Sequence, residues 1–193
     1  MRFEKGHKAA TRRHILDVAS KCFRRDGVSA AGIARIMGEA GLTNGAFYPH
    51  FKSKDALVRE AVGSALADQQ HRLDEDQRRG LDIEGAVRKY LNRAHLKDPS
   101  SGCPSAALLP EIARQPRSTR QDYEKGLRSY VSTLAALLPD ADSAANGRRA
   151  MAIFGLMVGT LQFARAVADA AQAEQILEGG VEAALQLARA PSP

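Results

Sequence analysis

Between Gly41 and Val58 the chain reads GLTNGAFYPHFKSKDALV. Thr43, Asn44, Gly45, Ala46, Tyr48, His50 and Lys54 fall within this one stretch. Their side chains offer hydroxyls, an amide, an imidazole and an ammonium, which suit hydrogen bonding and the holding of anions. No nucleophile has a base beside it, and no His, Cys, Asp and Glu cluster has metal-ligand spacing, so catalysis is not implied and no cofactor is expected.

These residues need a scaffold that presents them. Apolar Ile15, Val18, Ala19, Cys22 and Phe23 recur at helical spacing between Ala10 and Arg25, and Asp26-Gly27 then gives a stop signal. A second, shorter helix is expected from about Gly32, carrying Ile33, Ile36, Met37 and Ala40 inward and ending at Gly41. Thr43 is expected to cap a third helix through its hydroxyl, running to about Pro49 or His50. Two short helices around a tight Gly-containing turn make a helix-turn-helix.

In such a motif the first turn of the third helix enters the major groove of DNA, where outward residues must be small or polar. Asn44, Gly45 and Ala46 fit that demand. Phe47 and Phe51, four apart, are expected to plug the helix onto the two before it. Tyr48 and His50 then point elsewhere, toward phosphate oxygens, and Lys54 lies in the first turn of a helix capped by Ser53, where an anion is favoured. Packing at an interface is the plainer reading of Tyr48 and His50.

Charge placement agrees. The chain holds 28 Lys+Arg against 22 Asp+Glu; through Glu60 the balance is 12 against 6, and the remainder holds 16 of each. All the basic excess lies in the first third, the footprint of a polyanion-binding surface. Cys22 and Cys103 do not make a disulfide framework, and MRFEKGHK lacks a secretory apolar core, so a reducing, cytoplasmic location is expected. Ala150 to Ala164 is uncharged but shorter than the roughly 20 residues a bilayer requires, which predicts a buried helix and no membrane association.

Ala- and Leu-rich composition with few strand formers predicts an all-α chain. A long helix from Ser53 to near Gly80 would link the basic domain to further helices at about 83–97, 104–114, 118–138, 144–171 and 173–190. The tail PSP is expected to fray. The domain division expected is 1–60 and 61–193.

Ala31 to Ala61 resembles the DNA-binding domain of the TetR family of transcriptional regulators. The matching residues are Ile33, Ile36, Ala40-Gly41-Leu42-Thr43, Gly45, Phe47-Tyr48, His50-Phe51, Lys54 and Leu57. Two positions depart from the family pattern: Gly32 stands where a capping Thr or Ser is usual, and Pro49 replaces a residue that is commonly polar or aromatic. The resemblance implies an N-terminal three-helix domain joined by a long helix to a C-terminal ligand-binding and dimerisation domain. It also implies a homodimer, a double-stranded, palindromic operator and a small-molecule effector, with repression the commoner direction of control.

For the dimer, an apolar stripe of Ile153, Phe154, Met157, Leu161 and Ala164 is expected at the interface, with Gly155 and Gly159 allowing close approach. Packing of those helices within one subunit is the alternative. The effector pocket is drawn from Tyr90, Leu91, Ala94, Cys103, Leu108, Ile112, Tyr123, Leu127, Tyr130 and Phe154, with plain core the competing reading; Phe163 lies on the same helices. Cys103, immediately before Pro104 at a helix start, is a candidate oxidant or electrophile sensor if Arg114 or His95 lies nearby. Its blander role is a small apolar cap. A protein binding DNA without sequence preference is a further alternative.

Overall fold

The computed structural model describes residues 2–139 and 143–190. The expected frayed tail lies outside them, as does part of the break before residue 144. All regular structure among the described residues is helical: α1 (Arg2–Asp26), α2 (Ile33–Glu39), a 3₁₀ turn (Asn44–Ala46), α3 (Lys54–Arg78), α4 (Ile83–Tyr90), α5 (Arg93–Lys97), α6 (Pro104–Ala113), α7 (Arg117–Ala135), α8 (Ser143–Ala166) and α9 (Ala170–Arg189). No described helix is long and apolar enough to cross a membrane.

The chain forms two compact units, Met1–Ala67 with Ser100–Tyr123, and Asp68–Pro99 with Glu124–Pro193. In the first unit, Ile15, Phe23, Ile36, Met37, Phe47, Phe51 and Leu57 form one buried cluster. α6 supplies Leu108 and Ile112 to the same cluster, each 2 % exposed. The turns that shape this unit rest on glycine. Gly27 (φ 85°) ends α1 and Gly41 (φ 68°) follows α2, both in the left-handed region where a Cβ is penalised. After Gly41, the Leu42 N–H donates to the Met37 carbonyl at 2.9 Å and closes the end of α2.

Ion pairs lock the end of α1 to α2. Arg25 reaches both Asp26 and Glu39 at 2.7 Å, and Arg35 reaches the same two carboxylates at 3.1 Å. Hydrogen bonding from Arg25, then from the Cys22 thiol, holds the Glu39 carboxyl down at about 2 against an ordinary 4.5. The Cys22 thiol is pushed up to about 11, chiefly by burial and then by Glu39, so it is an inert core group.

In the second unit α8 packs along α9, α4 packs on α9 and α5 on α8. The expected helix over 83–97 is broken into α4 and α5. Asn92 leaves the helical region and its side chain accepts from the His95 N–H at 2.9 Å, starting a new helix. Likewise Asp169 accepts from Gln172 N–H at 2.8 Å, so α8 stops earlier and α9 starts sooner than expected. Asp82 caps α4 through the Gly85 N–H at 2.7 Å.

The dimer stripe expected on α8 needs correction. Ile153, Phe154, Met157, Leu161 and Ala164 are buried within their own subunit. The close helix approach falls at Gly180, where an added Cβ would meet the Thr160 side chain at 2.3 Å; at Gly155 and Gly159 it would meet nothing within 4 Å. α8 turns a different face outward, carrying Met151 (42 % exposed), Gly155 and Phe163 (72 %).

Because the Glu39 carboxyl is depressed in the folded state, its contribution to stability is fully present above about pH 4.5 and is lost as pH falls toward about 2. An acid titration monitored by circular dichroism should therefore show stability falling through that window. In Glu39→Gln the acid-dependent loss should be shallower; an identical profile would remove Glu39 from the account.

Candidate nucleic-acid interface

The helical segment after Thr43 is shorter than its sequence suggested. Thr43 stands at the N-cap position (φ −73°, ψ 151°), but its hydroxyl makes no capping hydrogen bond. The helix expected to reach Pro49 or His50 is a three-residue 3₁₀ turn followed by a hydrogen-bonded turn. Ala46 N–H donates to the Thr43 carbonyl at 3.0 Å, Phe47 N–H to Asn44 at 3.2 Å and His50 N–H to Phe47 at 2.9 Å, all three residues back. Pro49 has no N–H to give the Gly45 carbonyl, and a four-back bond appears only beyond it, from Phe51 N–H to the Phe47 carbonyl at 3.1 Å.

What holds the turn is its aromatic plug. Phe47 is fully buried and Phe51 almost so, with ring centroids 5.7 Å apart and planes inclined by 25°. Around that plug Thr43, Asn44, Gly45 and Tyr48 are exposed, while Ala46, His50 and Lys54 are half-buried. Ala46 packs partly on the core cluster, which leaves Asn44 and Gly45 as the freer groups of the turn. A Cβ on Gly45 would meet nothing within 4 Å, so the fold itself does not demand glycine there. Tyr48 is 69 % exposed and stands edge-on to Phe47 at 5.3 Å, which excludes a buried packing role within the chain.

His50 carries a buried Nδ1 without a hydrogen-bond partner. Its pKa is lowered, first by burial and then by the positive charges of Lys8 and Arg12. Lys54 opens α3, whose cap is Ser53: its Oγ accepts from the Ala56 N–H at 3.1 Å, as expected. Arg12 of α1 is a further neighbour. Its guanidinium lies 4.6 Å from the Phe51 ring centroid and pairs with Glu60. Helical spacing from Arg12 to Lys8 was the signal available, since residues four apart share a face.

The expected pocket residues divide between the units. Leu108 and Ile112 belong to the first unit's core cluster, with Tyr123 packed against it, and Tyr123 OH lies 2.9 Å from Ser105 Oγ. Cys103 is the N-cap residue of α6 and is 3 % exposed. Arg114 sits at the far end of α6, about 16 Å away along the axis, so it cannot activate this thiol. In the second unit Tyr130 and Tyr90 meet Phe154 at 4.9 and 6.0 Å. Leu91 is buried, Leu127 half-buried and Ala94 exposed. His95, not among the expected pocket residues, stands edge-on to Tyr90 at 4.7 Å, and its Nδ1–H donates to the Tyr90 carbonyl at 2.7 Å. Burial lowers its pKa. An open groove of about 520 Å³ lies between α4 and α9; of the expected residues, Leu91 alone lines it.

An all-helical chain whose N-terminal unit projects a polar turn from a buried aromatic plug has the construction of a helix-turn-helix regulator. Residues 15–61 match the family model described as bacterial regulatory proteins, tetR family. The regulator AcrR of Shigella flexneri is 50% identical over 50 residues, 26% of this chain and 23% of that protein. The repressor Rv1474c of Mycobacterium tuberculosis is 33% identical over 134 residues, 69% of this chain and 65% of its own length. The chain thus spans less than two thirds of either relative. The reduced form of NemR from Escherichia coli shares the fold with a TM-score of 0.76 at 19% identity, covering 95% of this chain and 98% of that one. A TetR-family regulator from Agrobacterium tumefaciens gives 0.73 at 22% identity, covering 91% and 98%.

Residues 15–61 therefore carry the DNA-binding domain of the TetR family of transcriptional regulators. The chain's relatives are transcriptional regulators and not enzymes.

The plug and the exposed tyrosine should separate cleanly in a denaturant titration. Phe47→Ala is expected to cost about 3–5 kcal/mol of stability, as for other fully buried rings. Tyr48→Ala should stay within about 0.5 kcal/mol of wild type. Equal costs would contradict the assignment of one ring to the core and the other to the surface.

Proposed function

We propose that this chain is a cytoplasmic, homodimeric, sequence-specific DNA-binding repressor that leaves a palindromic double-stranded operator when a small molecule binds. Residues 1–60 serve as the DNA-binding domain and 61–193 as the effector-binding and dimerisation domain. The observation that carries the reading is the exposed Thr43–Gly45 segment held by buried Phe47 and Phe51. Asn44, Gly45 and Ala46 face base edges beside Thr43, and Tyr48, His50 and Lys54 hold phosphates.

For the dimer, the supporting feature is the outward face of α8 and α9. Met151, Phe163 and Leu187 are exposed there (42, 72 and 37 %), and Gly155 and Gly179 leave open space for another helix. Two copies of this face make a four-helix, two-fold contact. The Tyr90, Tyr130 and Phe154 rings, with Leu91, Ala94 and Leu127, are the second unit's candidates for effector contact; Cys103, Leu108, Ile112 and Tyr123 are those of the first. The effector acts only through its differential affinity for the DNA-competent and released states.

Titration against the duplex upstream of the chain's own gene and a scrambled duplex, at two salt concentrations, tests the reading. Wild type should discriminate the two duplexes. Lys54→Ala should weaken both alike and flatten the salt slope by about one unit per half-site. Gly45→Leu should fold normally and lose discrimination. Equal, weak binding to both duplexes and to a random-duplex pool would leave the chain a binder without sequence preference.

A second reading places an oxidant or electrophile sensor at Cys103. In its favour, the thiol sits at the N-cap of α6 ahead of Pro104, and α6 reaches the DNA-binding core through Leu108 and Ile112. Its 3 % exposure requires the start of α6 to open before a reagent can enter. Oxidant should release wild-type protein from DNA while Cys103→Ser stays bound; a serine variant that still lets go rules this thiol out.

A further inference from the structure

One carboxylate of α6 gathers the backbone of the turn between α1 and α2. Val28 N–H donates to Glu111 Oε1 at 2.8 Å, and Ser29 N–H reaches the same oxygen at 3.4 Å. A Cβ on Gly27 would lie 3.3 Å from that oxygen, so the glycine leaves room for the carboxylate as well as turning the chain. Glu111 is half-buried and stands between Leu108 and Ile112, the two residues that α6 places in the helix-turn-helix core. The partner segments are 82 and 83 residues apart in the chain.

The position of this contact gives it leverage. The gripped turn is the connection on which α2 is hung, with Ala31 N–H returning to the Gly27 carbonyl at 3.2 Å just before α2 begins. α2 in turn carries Ile36 and Met37 into the cluster that seats Phe47. A second link lies close by: Arg24 Nε donates to the Ser100 carbonyl at 2.6 Å, tying α1 to the segment leading into α6. A carboxylate accepting main-chain donors makes charge-assisted hydrogen bonds, roughly twice as strong as neutral ones.

We infer that α6 is a working part of the DNA-binding unit and that Glu111 is a positioning residue, fixing the α1–α2 turn and thereby the reading turn in the register DNA requires. The functional half rests on the DNA-binding reading above; the contact itself does not. Glu111 touches no DNA in this account. Its loss therefore has a different signature from the loss of a phosphate clamp.

Amide hydrogen exchange on full-length protein, followed at Val28 and Ser29, reads the contact without DNA. In Glu111→Ala both amides should exchange faster; in Glu111→Gln, which keeps one acceptor oxygen, the effect should be smaller. With operator duplex, Glu111→Ala should bind about tenfold or more weakly while the salt slope stays at the wild-type value, since no counterion-releasing group is removed. Should the alanine variant fail to fold, the glutamine variant carries both measurements. Unchanged exchange at both amides would overturn the contact. Freed amides with operator affinity within twofold of wild type would overturn the positioning role. A wild-type protein that binds no duplex would defeat the functional half together with the reading it rests on, and the exchange result would still decide whether Glu111 grips the turn.

Discussion

The first unit depends on burying Phe47 and Phe51. A three-residue 3₁₀ turn has no stability of its own, because fixing a first turn of helix costs more backbone freedom than its hydrogen bonds return. Asn44 and Gly45 are held in place because the next buried side chain along the chain is locked into a cluster made by α1, α2, α3 and α6. The polar residues are therefore exposed at a fixed angle without being rigid in themselves. Substitutions deep in that cluster and substitutions on the surface of the turn would then act on different quantities, fold stability in one case and recognition in the other.

α6 complicates the idea of a self-contained DNA-binding domain. By sequence the helix-turn-helix match ends at residue 61, yet two of the most buried aliphatic residues of the unit, Leu108 and Ile112, come from well beyond it. Pro104 at the first position of α6 suits a helix start, where its missing N–H costs nothing. Cys103, Ser105 and Tyr123 surround this start with buried or half-buried groups, and the Ser105–Tyr123 hydrogen bond satisfies two of them. The same helix thus offers a thiol at its beginning and an acid near its end, each in contact with the unit that carries the reading turn.

How much of this was legible in the sequence follows from the range of the forces involved. The α1 stripe, the glycine stops at Gly27 and Gly41, the Phe47–Phe51 plug and the Ser53 cap are all local, and the structure has them as expected. Missed features depend on a competing local bond or a distant partner. Asn92 and Asp169 broke or shortened expected helices, because a side chain that accepts from a backbone N–H three residues on can start a helix inside an apolar pattern. Thr43 looked like such a cap and is not one. On α8, periodicity marked Ile153, Met157 and Leu161 correctly as apolar, but could not say whether the surface they meet belongs to the same chain. Glu111 carried no local signal at all, since its partners are 82 and 83 residues away.

The distribution of charge within the first unit is also more specific than a net excess. Asp26, Glu39 and Glu60 are each engaged by an arginine, respectively Arg25 and Arg35, the same pair again, and Arg12. Those arginines spend their charge inside the unit, joining α1 to α2 and α1 to α3. Lys8, Lys52 and Lys54 have no acidic partner among the described residues, and they flank the segment that bears Tyr48 and His50. On the proposed DNA-binding reading, attraction of a polyanion falls to lysines near the exposed turn, while Arg12, Arg25 and Arg35 brace its scaffold. This division matches the chemistry of the two cations: a guanidinium can bridge two carboxylates in fixed geometry, whereas a flexible ammonium can follow phosphates along a backbone. On that reading the basic excess of the first third is a field laid over a structural network in which three arginines meet three carboxylates.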